Sequence, residues 1–222
     1  MLKFSRLSQY KIGRIILCFC EDITANSASK LLKINRNTIN LYYNYFRELI
    51  FQRNFGANSQ DSGIFELDES YFGARRVRGK RGRGAAGKTP VFGLLKRDGK
   101  VFVNVVANCS REELMPIIQG KILEGSTIHT DGWKAYDGLV LNGYDHYRVF
   151  HSNNEFARGK SHVNGIEAFW SFAKRRLAKF NGLQDENFLK HLKECEFRYN
   201  NKDEDLVKIL TKLVKKQKKM LV

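Results

Sequence analysis

Three separated acids stand where a side chain can do more than solvate a surface. Asp68 lies in F-E-L-D-E-S-Y-F-G, just after an apolar run at 64–67 that reads as a strand. Asp131 lies in H-T-D-G-W-K-A-Y, at the end of a second short strand pattern at 127–130. Glu167 lies in H-V-N-G-I-E-A-F-W-S-F-A-K-R-R-L, where Ile166, Phe169, Trp170 and Leu177 supply the packing face of a helix. Carboxylate oxygens are what hard Mg²⁺ or Mn²⁺ selects. A pair of such ions roughly 3.5 to 4 Å apart provides both the nucleophile and the in-line arrangement that phosphodiester cleavage and transfer need. That is the chemistry open to these acids if they face one point.

Each acid also has a purely structural alternative. Glu66 alternates onto the same strand face as Asp68 and competes with it, whereas Leu67 and Glu69 face the other way. An acid on the inner face of a strand is costly unless something positive meets it. Asp131 could serve as a helix N-cap before Trp133. Glu167 could complement a helix dipole from the first turn. Lys174 follows Glu167 by two helical turns on the same face, with Arg175 beside it; these are either phosphate contacts or surface charge. His129 shares a strand face with Asp131, and His162 and Asn164 precede Glu167. These three either carry protons near neutral pH or orient the carboxylates by hydrogen bonding. Trp133, Tyr136 and Trp170 follow helical faces and read as core.

The elements that must position these residues follow from periodicity. Strands are expected at 91–96 and 101–106, joined by Arg97-Asp98-Gly99-Lys100, a strong hairpin signal. A helix at 112–122, the strand at 127–130, a short helix at 133–139 and a strand at 144–150 come next. Helical patterns at 166–180 and 186–199 precede an amphipathic stretch carrying Leu206, Ile209, Leu210, Leu213 and Val214. Three strands, a helix, a strand, a helix, a strand and then helices is the element order of an α/β, RNase H-like domain, expected here over residues 63–202.

Before the polar, glycine-containing boundary at 52–62, residues 7–50 read as three short helices. Leu7, Tyr10, Ile15, Ile16 and Phe19 form one stripe, and Ala28, Leu31 and Leu32 begin another. Residues 24–43 have the layout of a helix-turn-helix, with a turn at 33–35 and Asn35 as helix cap. Lys33 occupies a turn position where glycine is commoner. A recognition helix would then present Arg36, Asn37, Thr38 and Asn40 to bases or phosphates. A plain three-helix bundle used for dimer contacts is the other reading. Residues 1–52 are thus a small all-α unit, and 203–222 a basic amphipathic helix or tail.

Charge narrows the choice of partner. The 222 residues carry a formal net charge of +16, which concentrates polyanions and makes nucleic acid the first candidate. The run R-R-V-R-G-K-R-G-R-G-A-A-G-K places Arg75, Arg76, Arg78 and Lys80 among glycines, then Arg81, Arg83 and Lys88. It is either a backbone moulded to phosphates or a solvated insertion. Cys18, Cys20, Cys109 and Cys195 form no C-x-x-C pair, which argues against zinc and for ordinary thiols in a reducing cytoplasm. The apolar stretch at 15–20 is too short to span a bilayer, so no membrane partner is expected.

No acid is specific alone; the combination is. The blocks D-E-x-Y-F-G, D-G-W-x-A-Y and H-x-N-x-I-E-x-F-W-x-x-x-K-R, spanning about 65–201, resemble those of DDE-type bacterial insertion-sequence transposases. The 35 residues between Asp131 and Glu167 agree with that superfamily. The resemblance implies that Asp68, Asp131 and Glu167 hold two Mg²⁺ ions, with Mn²⁺ as a substitute, and that Lys174 is the basic residue following the glutamate. It implies hydrolysis at element ends, then attack of the freed 3′-OH on target DNA. It further implies binding to terminal inverted repeats, a homo-oligomer on DNA, and a cytoplasmic, nucleoid-associated location. Many relatives carry an N-terminal zinc ribbon where this chain has the helix-turn-helix candidate. The rivals are a non-catalytic helix-turn-helix regulator, and an RNase H-like nuclease or resolvase that cuts without joining.

Overall fold

The computed structural model describes residues 7–55, 60–73, 88–131, 136, 138–149, 163–180, 183 and 185–220. In chain order the elements are α1 (Gln9–Cys20), α2 (Ala25–Leu32), α3 (Arg36–Phe55), β1 (Ile64–Gly73), β2 (Lys88–Lys96) and β3 (Val101–Val105). Then come α4 (Arg111–Gln119), β4 (Thr127–Asp131), β5 (Asp145–Val149), α5 (Asn164–Leu177), α6 (Asp185–Asn200) and α7 (Leu206–Met220). They divide into two units: Met1–Gly56 with Asn201–Val222, and Ala57–Asn200.

In the first unit, side-chain oxygens of Ser8, Thr24 and Asn35 accept backbone N–H groups that α1, α2 and α3 would otherwise leave orphaned. Lys33 closes α2 in the left-handed conformation, with φ 53° and ψ 44°. Its backbone N–H and that of Ile34 both reach Ser29 O, the pattern that ends a helix at a left-handed residue. The core gathers Ile12, Ile15, Ile16, Phe19, Ala28, Ile39, Tyr42 and Phe46. Phe19 meets the edges of Tyr43 and Phe46 at centroid distances of 5.1 and 5.4 Å. Four residues of the expected stripes lie outside this core: Tyr10 is 73% exposed and Leu31 61%, and Leu7 and Leu32 are half-buried. Ile12 fills the place on α1 instead, because 100° per residue carries position 12, not 10, onto the arc of Ile15, Ile16 and Phe19. The amphipathic stretch after Asn201 is the helix α7, which packs on α1 and α3.

The second unit is built on a five-stranded sheet of order β3-β2-β1-β4-β5. Its first three strands are antiparallel, whereas β4 runs parallel to β1 and β5 parallel to β4. The β2–β3 hairpin turns at Asp98, whose φ is +56°. Both sheet faces are covered, and alternation sorts the side chains. Phe65, Leu67, Phe92, Leu94 and Ile128 pack with Leu114 and Ile118 of α4. Val91, Leu95, Val101 and Val103 pack with Ile166, Phe169 and Trp170 of α5 and Leu192 of α6.

The edge strand β3 is closed by side chains. Asn200 donates to Val101 O and accepts from Val101 N–H, both at 2.8 Å. Glu196 accepts from Val103 N–H at 3.0 Å, Lys193 donates to Val103 O at 2.6 Å, and the two are themselves ion-paired. Helix α6 thus supplies the hydrogen bonds that a sixth strand would make and removes a template for edge pairing.

Some boundaries differ from expectation. Strand β1 runs to Gly73, so Asp68 sits in mid-strand rather than after its end. Asp131 is the last residue of β4. Helix α3 continues through Gln52 to Phe55, so the polar segment expected to be a boundary begins inside a helix. Most of the helix expected at 133–139 lies outside the described residues; the described part beyond it is a single 3₁₀ turn at Val140–Asn142.

Candidate active site

The site begins with a match of spacing between β1 and α5. Two strand residues advance about 6.6 Å and four helical residues about 6 Å, so a helix lying along a strand can keep step with it. Here the steps are Glu66 to Ile166 and Asp68 to Trp170. The Ile166 backbone N–H donates to Glu66 Oε2 at 3.0 Å, and Trp170 Nε1–H donates to Asp68 Oδ2 at 3.0 Å. Close approach depends on two glycines: a Cβ at Gly93, the β2 partner of Asp68, would collide with the Trp170 indole. One at Gly165 would collide with Leu95 and come within 2.9 Å of Glu66 Oε2.

Parallel pairing brings the second acid alongside. Leu67 is the register partner of Thr130, and Asp68 and Asp131 are the next residue on each strand. Burial first, then the neighbouring Asp131 charge, with a smaller push from Glu167, hold the Asp68 carboxyl up at about 6. The hydrogen bonds from the Glu69 backbone and Trp170 oppose these effects. Two acids distant in sequence, Asp131 and Glu167, therefore both act on the Asp68 carboxyl. Among the described residues, no three His, Cys, Asp or Glu side chains are gathered into a ready-made ion site.

Glu66, the competitor of Asp68 on the same face, is differently engaged. It is 1% exposed, and its Oε1 accepts from Arg97 Nε at 2.9 Å. A countercharge and a helix N–H thus occupy both oxygens. On the opposite face the buried Tyr136 hydroxyl donates to Glu69, linking the segment after β4 to β1. Burial, and then the Glu69 carboxylate, hold the Tyr136 phenol well above its ordinary range.

Over residues 60–200 the chain matches the ISXO2-like transposase domain. The chain belongs to that family. It is 43% identical over 117 residues to an uncharacterized transposase-like protein of Haemophilus influenzae, a match covering 52% of this chain and 94% of that protein. An uncharacterized protein in transposable element ISH50 of Halobacterium salinarum is 30% identical over 152 residues, covering 61% of this chain and 52% of that one. Among solved structures, the catalytic core domain of BIV integrase gives a TM-score of 0.41 at 12% identity over 71% of this chain and 99% of that one. The Mos1 strand transfer complex gives 0.30 at 11% identity, over 97% and 80%.

The remaining candidates of this transposase domain fall in distinct places. Lys174 and Arg175 are exposed on α5, with Lys174 Nζ 5.8 Å from the centroid of the Phe72 ring. The next cation, Arg176, turns inward and pairs with the buried Glu194. His129 is buried on β4 and stacks on Tyr147 at 5.4 Å. Asn164 is the first residue of α5, and Lys88 opens β2 opposite Gly73. Arg75, Arg76, Arg78, Lys80, Arg81, Arg83, Trp133 and His162 lie outside the described residues. In the other unit Arg36 and Asn37 are exposed at the start of α3, with Thr38 and Asn40 half-buried.

Two roles escaped the sequence reading. Trp170 belongs to the core, as expected, and also hydrogen-bonds the acid; only the packing of α5 on β1 reveals this. Arg97 reads as a turn residue in R-D-G-K, yet its guanidinium serves Glu66. The one available signal was that a buried inner-face acid needs a cation somewhere.

Proposed function

We propose that the chain is a DNA transposase of an insertion sequence, cutting element ends and joining the freed 3′-OH to target DNA. The observation that carries this reading is the Asp68 carboxyl, desolvated and set against the charges of Asp131 and Glu167 within a transposase-family domain. Such an anionic cluster, made of hard oxygen donors, suits divalent cations. Asp68, Asp131 and Glu167 would hold two Mg²⁺ ions, or Mn²⁺ in their place, which when bound activate water and polarise the phosphodiester. Trp170 fixes the orientation of Asp68, and Tyr136 hydrogen-bonds Glu69, the next residue of β1. Lys174 and Arg175 would neutralise DNA phosphates beside the acids. A mixed sheet with three antiparallel strands, two further parallel ones and helices on both faces supports an RNase H-like assignment for residues 63–202.

On the same reading residues 1–52 form a helix-turn-helix, with Arg36, Asn37, Thr38 and Asn40 toward the terminal inverted repeats. The glycine-rich basic segment from Arg75 to Lys88 would follow the phosphate backbone. Two ends must be joined at once, so the working form is a homo-oligomer on DNA, in the cytoplasm and associated with the nucleoid.

The test is a supercoiled plasmid carrying the element's own inverted repeats, incubated with the protein and Mg²⁺. Cleavage with joining is expected; cleavage alone would indicate a nuclease or resolvase, and binding alone a regulator. Glu167→Gln should lower turnover by more than about 100-fold, beyond the loss typical when only a supporting partner of a metal ligand is removed. DNA binding by that variant, measured by mobility shift, should remain near wild type. Undiminished turnover would remove Glu167 from the site.

A further inference from the structure

We propose that Glu66 is a positioning residue which ties the first turn of α5 to β1 and thereby sets the spacing between Asp68 and Glu167. The inference rests on the reading of those two acids as metal ligands, and it concerns a carboxylate to which that reading gives no part.

Four observations converge. Val163, at the N-cap position of α5, makes no side-chain cap; its carbonyl accepts the Glu167 N–H at 3.2 Å, but a valine side chain offers the Ile166 N–H no acceptor. The hydrogen bond comes from across the sheet, where Glu66 Oε2 accepts the Ile166 N–H directly before Glu167. Glu66 is held from the other side by Arg97, whose own backbone N–H is fixed to Ile64 O at 2.8 Å on the same strand β1. Gly165 lets the helix descend far enough for this bond, since any Cβ there would strike Leu95 and crowd Glu66 Oε2. With Trp170 bonded to Asp68 one turn later, α5 is pinned to β1 at two points, and Glu167 lies between them.

The arrangement separates two carboxylates on one strand face. Asp68 feels the charges of two other acids, whereas Glu66 already has a guanidinium and a helix N–H. Glu66 therefore acts on ions through the placement of Glu167 rather than by contact. Partners that orient metal ligands commonly change metal affinity by about 10- to 100-fold when lost.

Two variants of the full-length protein test this, one altering the carboxylate and one leaving it intact. Glu66→Gln keeps an acceptor but loses the charge that holds Arg97; Gly165→Ala keeps Glu66 and pushes α5 away. Both should weaken Mn²⁺ binding by about 10-fold in calorimetry, with the number of bound ions unchanged, and raise the Mg²⁺ concentration needed for half-maximal cleavage by a similar factor. Hydrogen exchange at the Ile166 amide of the metal-free protein should quicken by about 10-fold or more, as expected when one end of a helix loosens. Unaltered exchange and Mn²⁺ affinity in both variants would overturn the proposal. So would a drop in the number of ions bound by Glu66→Gln, which would make Glu66 a ligand. If Glu167→Gln binds Mn²⁺ like wild type, the metal-site reading itself fails, while the Ile166 amide still reports whether Glu66 holds the helix.

Discussion

Asp68 is shifted because three effects act on one carboxyl: burial first, then the charge of Asp131, then that of Glu167. Its acid form is favoured in the folded chain, with a value of about 6 against an ordinary 3.8. Stability from this group is therefore complete below about pH 4 and is lost as pH rises through about 6. In metal-free protein the loss should amount to about 3 kcal/mol, and Asp68→Asn should flatten that part of the stability curve. Urea unfolding between pH 4 and 7 checks this; identical pH dependence in the two proteins would show that the carboxyl is not desolvated as described. Excess Mg²⁺ should restore stability on the alkaline side, since an ion that binds only the folded state stabilises it by mass action.

At the scale of elements, the outer edge of the sheet depends on α6. Asn200 and Glu196 satisfy backbone groups of β3 that water cannot reach once the helix covers them. Burial raises the Glu196 carboxyl while Lys193 opposes the shift, so this contact is an ion pair held at a desolvation cost. Replacing Asn200 by Ala leaves two β3 backbone groups unsatisfied and should lower unfolding free energy by about 1–3 kcal/mol. Chemical denaturation would read that loss, and a change below a few tenths would mean that solvent already reaches the edge. The strands, the hairpin and the helical register of α5 were legible from apolar spacing. The covering of β3 by polar residues of α6 was not, because Lys193, Glu196 and Asn200 look like solvent-facing helix positions until a strand edge is placed beside them.

For the whole molecule, a net charge of +16 predicts that the proposed DNA binding depends strongly on salt. The logarithm of affinity should fall linearly with the logarithm of salt concentration, by about 0.9 for each phosphate neutralised. Arg36, exposed at the start of α3, should contribute one such contact, so Arg36→Ala is expected to reduce the slope by about 1. A salt titration of both proteins on inverted-repeat DNA decides this, and equal slopes would place that helix off the backbone. The first unit is discontinuous in sequence: α7 completes it by packing on α1 and α3. Along the sequence, residues 203–222 read as a basic amphipathic helix or tail, because nothing local says which distant helix an amphipathic face will meet.

The sequence by itself determined which residues could share a face: Glu66 with Asp68, His129 with Asp131, and Ile166 with Trp170, since periods of two and 3.6 are properties of the backbone. It also carried the family, through the match over residues 60–200. Only the tertiary structure gave Glu66 and Asp68 their different surroundings. One meets Arg97 and a helix N–H, the other an indole and further acids, and those partners come from elements that no local period connects.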